Sequence, residues 1–142
     1  MPSVEIEARN AVDGRIYRAV IVPKRQSIDY VTQPAAGAGP EQRQTPVTLT
    51  ATVERKSLLG IKRAPVLTVC YGIGRLEFDR FCAVVEQMLA GCDFATGNAS
   101  RVAIDDICEK NELIPIEGRI RSERHAIPLI ILFDREASAR GY

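Results

Sequence analysis

The two glycines at Gly72 and Gly74 are the pattern in this chain that could serve cofactor chemistry. They separate a strand-like segment from a helix-like one, which is where a dinucleotide fold places the loop that approaches a pyrophosphate. The third glycine of that fingerprint is replaced by Glu77, and the chain is not a run of strand–helix–strand units. A lone pair of glycines is a weak signal. We therefore expect no cofactor, and we expect the glycines to relieve crowding where a strand turns into a helix.

Side chains for acid–base or nucleophilic chemistry are isolated from one another. His125 is the single histidine and precedes an apolar strand, so a hydrogen bond at the strand end is its expected role. No Ser or Cys stands in a recognisable nucleophile setting. Asp105 and Asp106 are adjacent on a helix and point about 100° apart, so they do not form a carboxylate pair. The sequence thus predicts a protein that is not an enzyme.

The cysteine spacing argues against a zinc site. There is no CxxC pair, and one histidine leaves no ordinary Cys/His ligand set. Cys82 and Cys108 lie on apolar helix faces, so we expect both to be buried. Cys92 lies in a Gly-Cys-Asp turn, which favours an exposed thiol or an intersubunit bridge. With no signal pattern and no apolar run of membrane length, the sequence predicts a soluble protein made in a reducing compartment.

A modest signal for binding comes from one strand and its neighbours. Short hydroxyl side chains on an open sheet face can hydrogen-bond to exposed bases, while flanking cations meet phosphates. The net charge of +1 excludes a nucleic-acid binder held by bulk charge alone and leaves room for a local basic patch. An ordinary solvent-exposed face is the simpler interpretation, because Thr is a good strand former. The residues concerned are Thr48, Thr50, Thr52 and Thr68, with Arg55, Lys56, Lys62 and Arg63 nearby.

Alternation of apolar and polar residues predicts two hairpins. Residues 4–8 alternate, Asp13 and Gly14 form a turn, and residues 15–22 return as a second strand. Pro23 should end that strand or place it at a sheet edge. Composition makes residues 33–46 a long mobile loop. Residues 47–53 and 66–71 then form the central hairpin around a loop at 56–60.

A period of 3.6 residues follows the central hairpin and predicts two helices. A turn at 91–93 ends the first helix, and the second spans about 100–110 with Asn98 or Ser100 as its N-cap. The second helix should turn Ile104, Ile107 and Cys108 inward. The apolar stripe of the first helix comprises Phe78, Phe81, Cys82, Val85, Met88 and Leu89.

The C-terminal part returns to strand-like patterns. Residues 117–124 are a polar connection or weak strand, and the apolar run 127–133 is typical of a strand buried on both faces or completed by a partner chain. We predict one α+β domain over residues 1–142. Its antiparallel sheet comprises the two hairpins and a C-terminal strand, with two helices on one face. Because the apolar stripe and run exceed what one small sheet readily covers, we also predict a homodimer.

The order of elements over residues 4–113 resembles the coat proteins of single-stranded RNA bacteriophages (levivirus-like). The residues that carry the likeness are Asp13 and Gly14 in the first turn, the segment 49–53 and the strand-to-helix passage 67–89. The resemblance implies a sheet and two helices that interlock with a second subunit, dimers that assemble a shell, and an inner sheet face that binds an RNA hairpin. The likeness is one of element order, and the chain departs from the family after Pro115, where a further strand follows.

The resemblance also implies a site and a function. The family's adenine pocket uses hydroxyl residues, which carries over to Thr50, Thr52 and Thr68, and the cationic role falls on Lys62 or Arg63. The expected function is a viral capsid (coat) subunit, made in the host cytoplasm and found in the virion. Its partners would be further copies of itself and RNA, with no membrane and no small-molecule substrate. The alternative is a small cytosolic dimeric adaptor or regulator without catalytic activity.

Overall fold

The structure is a computed structural model, and it describes residues 3–32, 37, 39–56, 63–72, 74, 76–95, 97–119 and 127–136. The described part contains six strands and two helices in an α+β arrangement, which confirms the predicted fold class. In chain order they are β1 (Val4–Arg9), β2 (Ile16–Thr32), β3 (Glu41–Lys56), β4 (Arg63–Tyr71), α1 (Phe78–Gly91), α2 (Gly97–Lys110), β5 (Leu113–Arg119) and β6 (Leu129–Asp134).

The strands form one mixed sheet in the order β1-β2-β3-β4-β6-β5. Strands β1 to β4 are antiparallel neighbours, but β6 lies parallel to β4 and antiparallel to β5. The prediction of a purely antiparallel sheet was therefore wrong. Parallel neighbours need a long crossover, and α1, α2 and β5 supply it. Insertion between β4 and β5 explains why the apolar run of β6 is buried along most of its length.

Of the two alternatives expected at Pro23, a strand end or a sheet edge, the strand end is wrong, because β2 does not stop there. It continues to Thr32 through a register shift between Pro23 and Gln26, a bulge in which a residue without a backbone N–H is tolerated. The region predicted as a loop is also partly strand, because β3 begins at Glu41. Residues 33–36 and 38 of that predicted loop lie outside the described residues. We call the extension formed by residues 24–32 and 41–47 the arm.

The arm reaches back to the far side of the sheet. Near its end Asp29 and Tyr30 pair with Arg119 and Gly118 of β5, so β2, β3, β4, β6 and β5 form a closed circuit. A Cβ atom on Gly118 would lie 2.8 Å from side-chain carbons of Leu129 and Ile131 and 2.9 Å from Ile28. Because glycine has no Cβ atom, it allows β5 to approach β2 and β6 closely at this position.

Within the described part of the chain, two apolar clusters stabilise the fold. The larger one packs α1 and α2 on one face of the sheet and buries Phe81, Val84, Val85, Met88 and Leu89 of α1. The smaller one joins the arm to the other face through Ile28, Tyr30, Val47, Cys70, Leu129, Ile131 and Phe133. The apolar surface of α1 and β6 is thus covered within one chain, and it no longer argues for a dimer.

The first hairpin is anchored to the end of α1. Its turn contains Gly14 at φ +72°, a left-handed conformation that favours glycine and fits the predicted Asp-Gly turn. Asn10 is 1 % exposed and donates from Nδ2 to the carbonyls of Leu89 (2.8 Å) and Cys92 (2.7 Å). Its Oδ1 accepts hydrogen bonds from the amides of Val12 and Asp13. Asn10 therefore connects β1, β2 and α1, although no periodic pattern in the sequence distinguishes this residue.

Candidate nucleic-acid interface

The predicted threonines do lie together on one face of the sheet. Ala51 and Val53 of β3 are fully buried on the helix side, so alternation turns Thr50 and Thr52 to the opposite side, which we call the outer face. Thr52 lies directly opposite Thr68 of β4 in the register. The structure therefore brings Thr50, Thr52 and Thr68 to the same face.

The three hydroxyls differ in accessibility. Thr50 Oγ1 accepts a hydrogen bond from Gln26 Nε2 at 2.9 Å and lies 3.7 Å from Cys70 Sγ. Gln26 belongs to the arm, which therefore lies against part of the outer face. Thr68 is 9 % exposed, so a base reaches it only after rearrangement. Thr52 remains half-exposed, and it is the hydroxyl of the three best placed for a ligand.

Cations stand at one end of this face. Lys56 and Arg63 are register partners where β3 and β4 approach their connection, and Arg63 is exposed. The ammonium of Lys56 lies 2.5 Å from Glu7 Oε1, and its side chain keeps 33 % exposure. Arg55 pairs with Ala64 and points to the other side of the sheet. Lys62, the other predicted cation, lies outside the described residues.

The outer face has acidic as well as basic side chains. Arg18 lies on this face and is 7 % exposed. Its guanidinium bridges Glu5 at 3.1 Å and Glu54 at 3.2 Å, and its Nε has no hydrogen-bond partner among the residues that the structure describes. Sequence reasoning missed this residue, although the alternation of β2 places it on the outer face. The carboxylates of Glu5 and Glu54 therefore offset the positive charge that Arg18 brings to this face.

The predicted crowding at the two glycines is confirmed. A Cβ on Gly72 would lie 2.8 Å from the Phe133 ring, and one on Gly74 would overlap the Asp134 carboxylate and the Tyr71 hydroxyl. That hydroxyl donates to Asp134 Oδ2 and accepts from the backbone N–H of Leu76, each at 2.7 Å. Burial is the main cause that raises the pKa of Tyr71. The loop therefore packs tightly on β6.

The prediction for the cysteines was wrong in two places. Cys92 was expected to be exposed, yet it is fully buried in the helix-side cluster, because the anchored hairpin covers the end of α1. Cys82 was expected to be buried and is half-exposed. Cys108 is buried as predicted, and burial raises the pKa of both Cys92 and Cys108 to about 12. All four cysteines are free thiols.

A cleft beside α2 is a second feature that the sequence did not reveal. It has a volume of about 110 Å³ and opens between α2 and the strands β4, β5 and β6. Arg101 contacts Glu117 at 3.1 Å and Asp105 at 3.2 Å. Periodicity within one element could not predict it, because the walls come from distant segments. The lining residues are Val66, Leu67, Phe94, Arg101, Ile104, Glu117, Pro128 and Ile130.

No protein-family model, no curated protein and no solved structure matches this chain. Within the described ranges, no helix is long and apolar enough to cross a membrane. The same ranges hold no group of three or more His, Cys, Asp or Glu side chains arranged to bind a metal ion. The predicted role of His125 lies outside the described residues.

Proposed function

We propose that this chain is a structural subunit of the RNA-phage coat type, which associates with further copies of itself and binds RNA on its outer face. The proposal rests on the difference between the two faces of the sheet. The helices bury one face, while the other face keeps Thr52 accessible and places Lys56 and Arg63 at its end. The resemblance in element order supports the same assignment.

The proposed contact surface includes fewer threonines than the one expected from the sequence. Thr50 is hydrogen-bonded within the chain and Thr68 is buried. In the proposed complex Thr52 therefore contacts a base of the RNA. Arg63 and Lys56 contact phosphates in the proposed complex. Basic side chains at the end of a strand can reach the backbone of a nucleic acid that crosses the sheet. Contacts to phosphates supply affinity and contacts to bases supply sequence preference.

The test is RNA binding by the purified full chain across a salt series. Arg63→Ala should weaken binding to all RNAs and flatten the dependence of affinity on salt, since one phosphate contact is lost. Its matched control is Arg43→Ala, which removes an exposed arginine from the neighbouring strand β3 at the far end of the arm, where Arg43 pairs with Glu41. If both variants weaken binding equally, the proposed position of the phosphate contact is wrong.

The base contact is tested by Thr52→Val. Valine keeps the β-propensity and shape, so the fold should survive while preference for a selected RNA hairpin falls by roughly tenfold, the effect of losing one hydrogen bond. Ser27→Ala is the control, because Ser27 is an exposed hydroxyl residue of the arm that pairs with Pro46, away from Thr52. If wild-type protein binds no RNA at low salt, the assignment falls.

The second candidate is a dimeric adaptor, and the cleft beside α2 favours it. Its apolar walls and the arginine Arg101 could hold one apolar side chain of a partner protein next to an acidic residue. Glu117 and Asp105 already neutralise Arg101, so such a partner would have to displace them. Absence of RNA binding together with a discrete dimer in solution would favour the adaptor.

A further inference from the structure

The strand β1 differs from the other five in its hydrogen bonding. Within the described part of the chain it pairs with β2 alone, whereas every other strand pairs with at least two neighbours. The N–H of Asn10 bonds to the carbonyl of Arg15. Because such pairs alternate along antiparallel strands, Ala8, Ile6 and Val4 direct their backbone groups to β2. Glu5, Glu7 and Arg9 therefore direct theirs away from the sheet.

We propose that the outward edge of β1 binds the same edge of a second copy of this chain, antiparallel and across a twofold axis. In the proposed register Glu7 faces the partner's Glu7, and Glu5 faces the partner's Arg9. All three outward residues then exchange backbone hydrogen bonds, six in total by the pairing rule for antiparallel strands. Shifting the register so that Ile6 faces the partner's Ile6 would leave four between the β1 residues Val4–Arg9 and would set Glu5 against the partner's Glu7.

Charge supports the first register. Glu5 uses Oε2 for Arg18, which leaves Oε1 for the partner's Arg9. Arg9 uses Nη1 for the Gly14 carbonyl at 2.7 Å, and its remaining donors stay available because a guanidinium carries five. The two Glu7 carboxylates meet near the axis, where each is already paired with the Lys56 of its own chain. Opposite charges facing each other across strands stabilise a pair, and like charges destabilise it.

Apolar cover supports the same contact. On the helix side of β1, the side chains of Val4, Ile6 and Ala8 are half-exposed, and Ile6 and Ala8 pack on the larger cluster. In the proposed register Ile6 comes opposite the partner's Ala8, which covers both. A contact along six residues is small beside a standard protein interface, so we expect a dimer that dissociates on dilution.

This inference deepens the proposed function, because it names the surface through which copies associate, and it rests on that function only for its biological meaning. The dimer contact through β1 and the proposed function can be refuted independently of each other. RNA binding without a dimer would overturn the inference and leave the coat assignment with another interface. A dimer without RNA binding would leave the edge contact standing and remove the proposed function.

The first experiment measures the dimer dissociation constant of the full chain by sedimentation equilibrium. Glu7→Pro removes the outward N–H of Glu7 from each copy, two of the six hydrogen bonds, at a position where an edge strand tolerates proline. We expect the dissociation constant to rise by at least about tenfold. Glu7→Gln, the matched control, keeps the N–H and removes the like charges, so its dimer should be as tight as wild type or tighter. Circular dichroism checks that both variants remain folded.

The second experiment tests the register by disulfide trapping in a Cys82→Ser background. Residues facing each other across a twofold in a hydrogen-bonded pair lie about 5.5 Å apart at Cα, within reach of a disulfide. Glu7→Cys should therefore cross-link on mild oxidation, and Ile6→Cys should not. A monomer at all concentrations, a dimer that survives Glu7→Pro, or faster cross-linking of Ile6→Cys would each overturn the proposal.

Discussion

Asn10→Ala tests the anchor between the first hairpin and the end of α1. Asn10 donates to the carbonyls of two residues, Leu89 and Cys92, that are fully buried. Alanine leaves both acceptors without this donor, at a cost of about 1–3 kcal/mol each. The amides of Val12 and Asp13 lie in an exposed turn, where water replaces Oδ1 at little cost. We expect the free energy of unfolding to fall by about 3 kcal/mol.

The assay is urea unfolding followed by circular dichroism. For a chain of this length, a loss of about 3 kcal/mol lowers the melting temperature by roughly 10 °C, and the urea midpoint should fall without a change in slope. Asn111→Ala is the matched control. Asn111 donates to the Ile107 carbonyl at 2.7 Å in the last turn of α2, but its site is only partly buried, so its loss should cost under about 1 kcal/mol.

The charge-bearing isostere Asn10→Asp makes the test sharper. A carboxylate can still accept from Val12 and Asp13, but it offers no proton to the two carbonyls, which repel its charge. Its folded-state pKa should therefore exceed the unfolded value of about 3.9. Stability of this variant is then highest below the unfolded pKa and decreases as pH rises through the folded pKa. If Asn10→Ala costs no more than Asn111→Ala, the anchor does not stabilise the fold.

Three further predictions follow from the described contacts. Gly74→Ala should lower the free energy of unfolding by about 1–3 kcal/mol through overpacking against Tyr71 and Asp134. Gly39→Ala, where a Cβ meets nothing within 4 Å, should be neutral in the same urea titration. Cys82 should be alkylated well before Cys92 in the native protein, since burial protects the latter, and equal rates by mass spectrometry would contradict the structure. Burial and a hydrogen bond to Asp13 raise the pKa of Tyr17 to about 12, against about 10 in the unfolded chain. Its contribution to stability is therefore complete below pH ~10 and lost as pH rises toward ~12. Tyr17→Phe should flatten that part of the stability curve, and an unchanged curve would contradict the assignment.

Local periodicity predicted the elements that depend on neighbouring residues. The alternation of β1 and β3 and the stripe of α1 are visible because their side chains repeat at the period of the element. The first turn was predictable because Asp13 and Gly14 supply the required conformation. These features include the outer-face position of Thr50 and Thr52.

Features that depend on distant segments could not be predicted in the same way. The path of β2 beyond Pro23 depends on a bulge and on the pairing of its end with β5. Burial of Cys92 depends on Asn10, which is more than 80 residues away in the chain. The arm covers part of the candidate site because Ile28 packs on β6. None of these contacts changes the local pattern from which the sequence predictions were made.

Sedimentation velocity of the full chain, purified without nuclease and recorded at 260 and 280 nm, tests whether the protein assembles together with RNA. A structural subunit that binds RNA and its own copies should sediment as fast-moving assemblies with an excess of absorbance at 260 nm. Treatment with ribonuclease and high salt should release the nucleic acid. A folded chain that sediments as a nucleic-acid-free monomer at every concentration would contradict the proposed coat function.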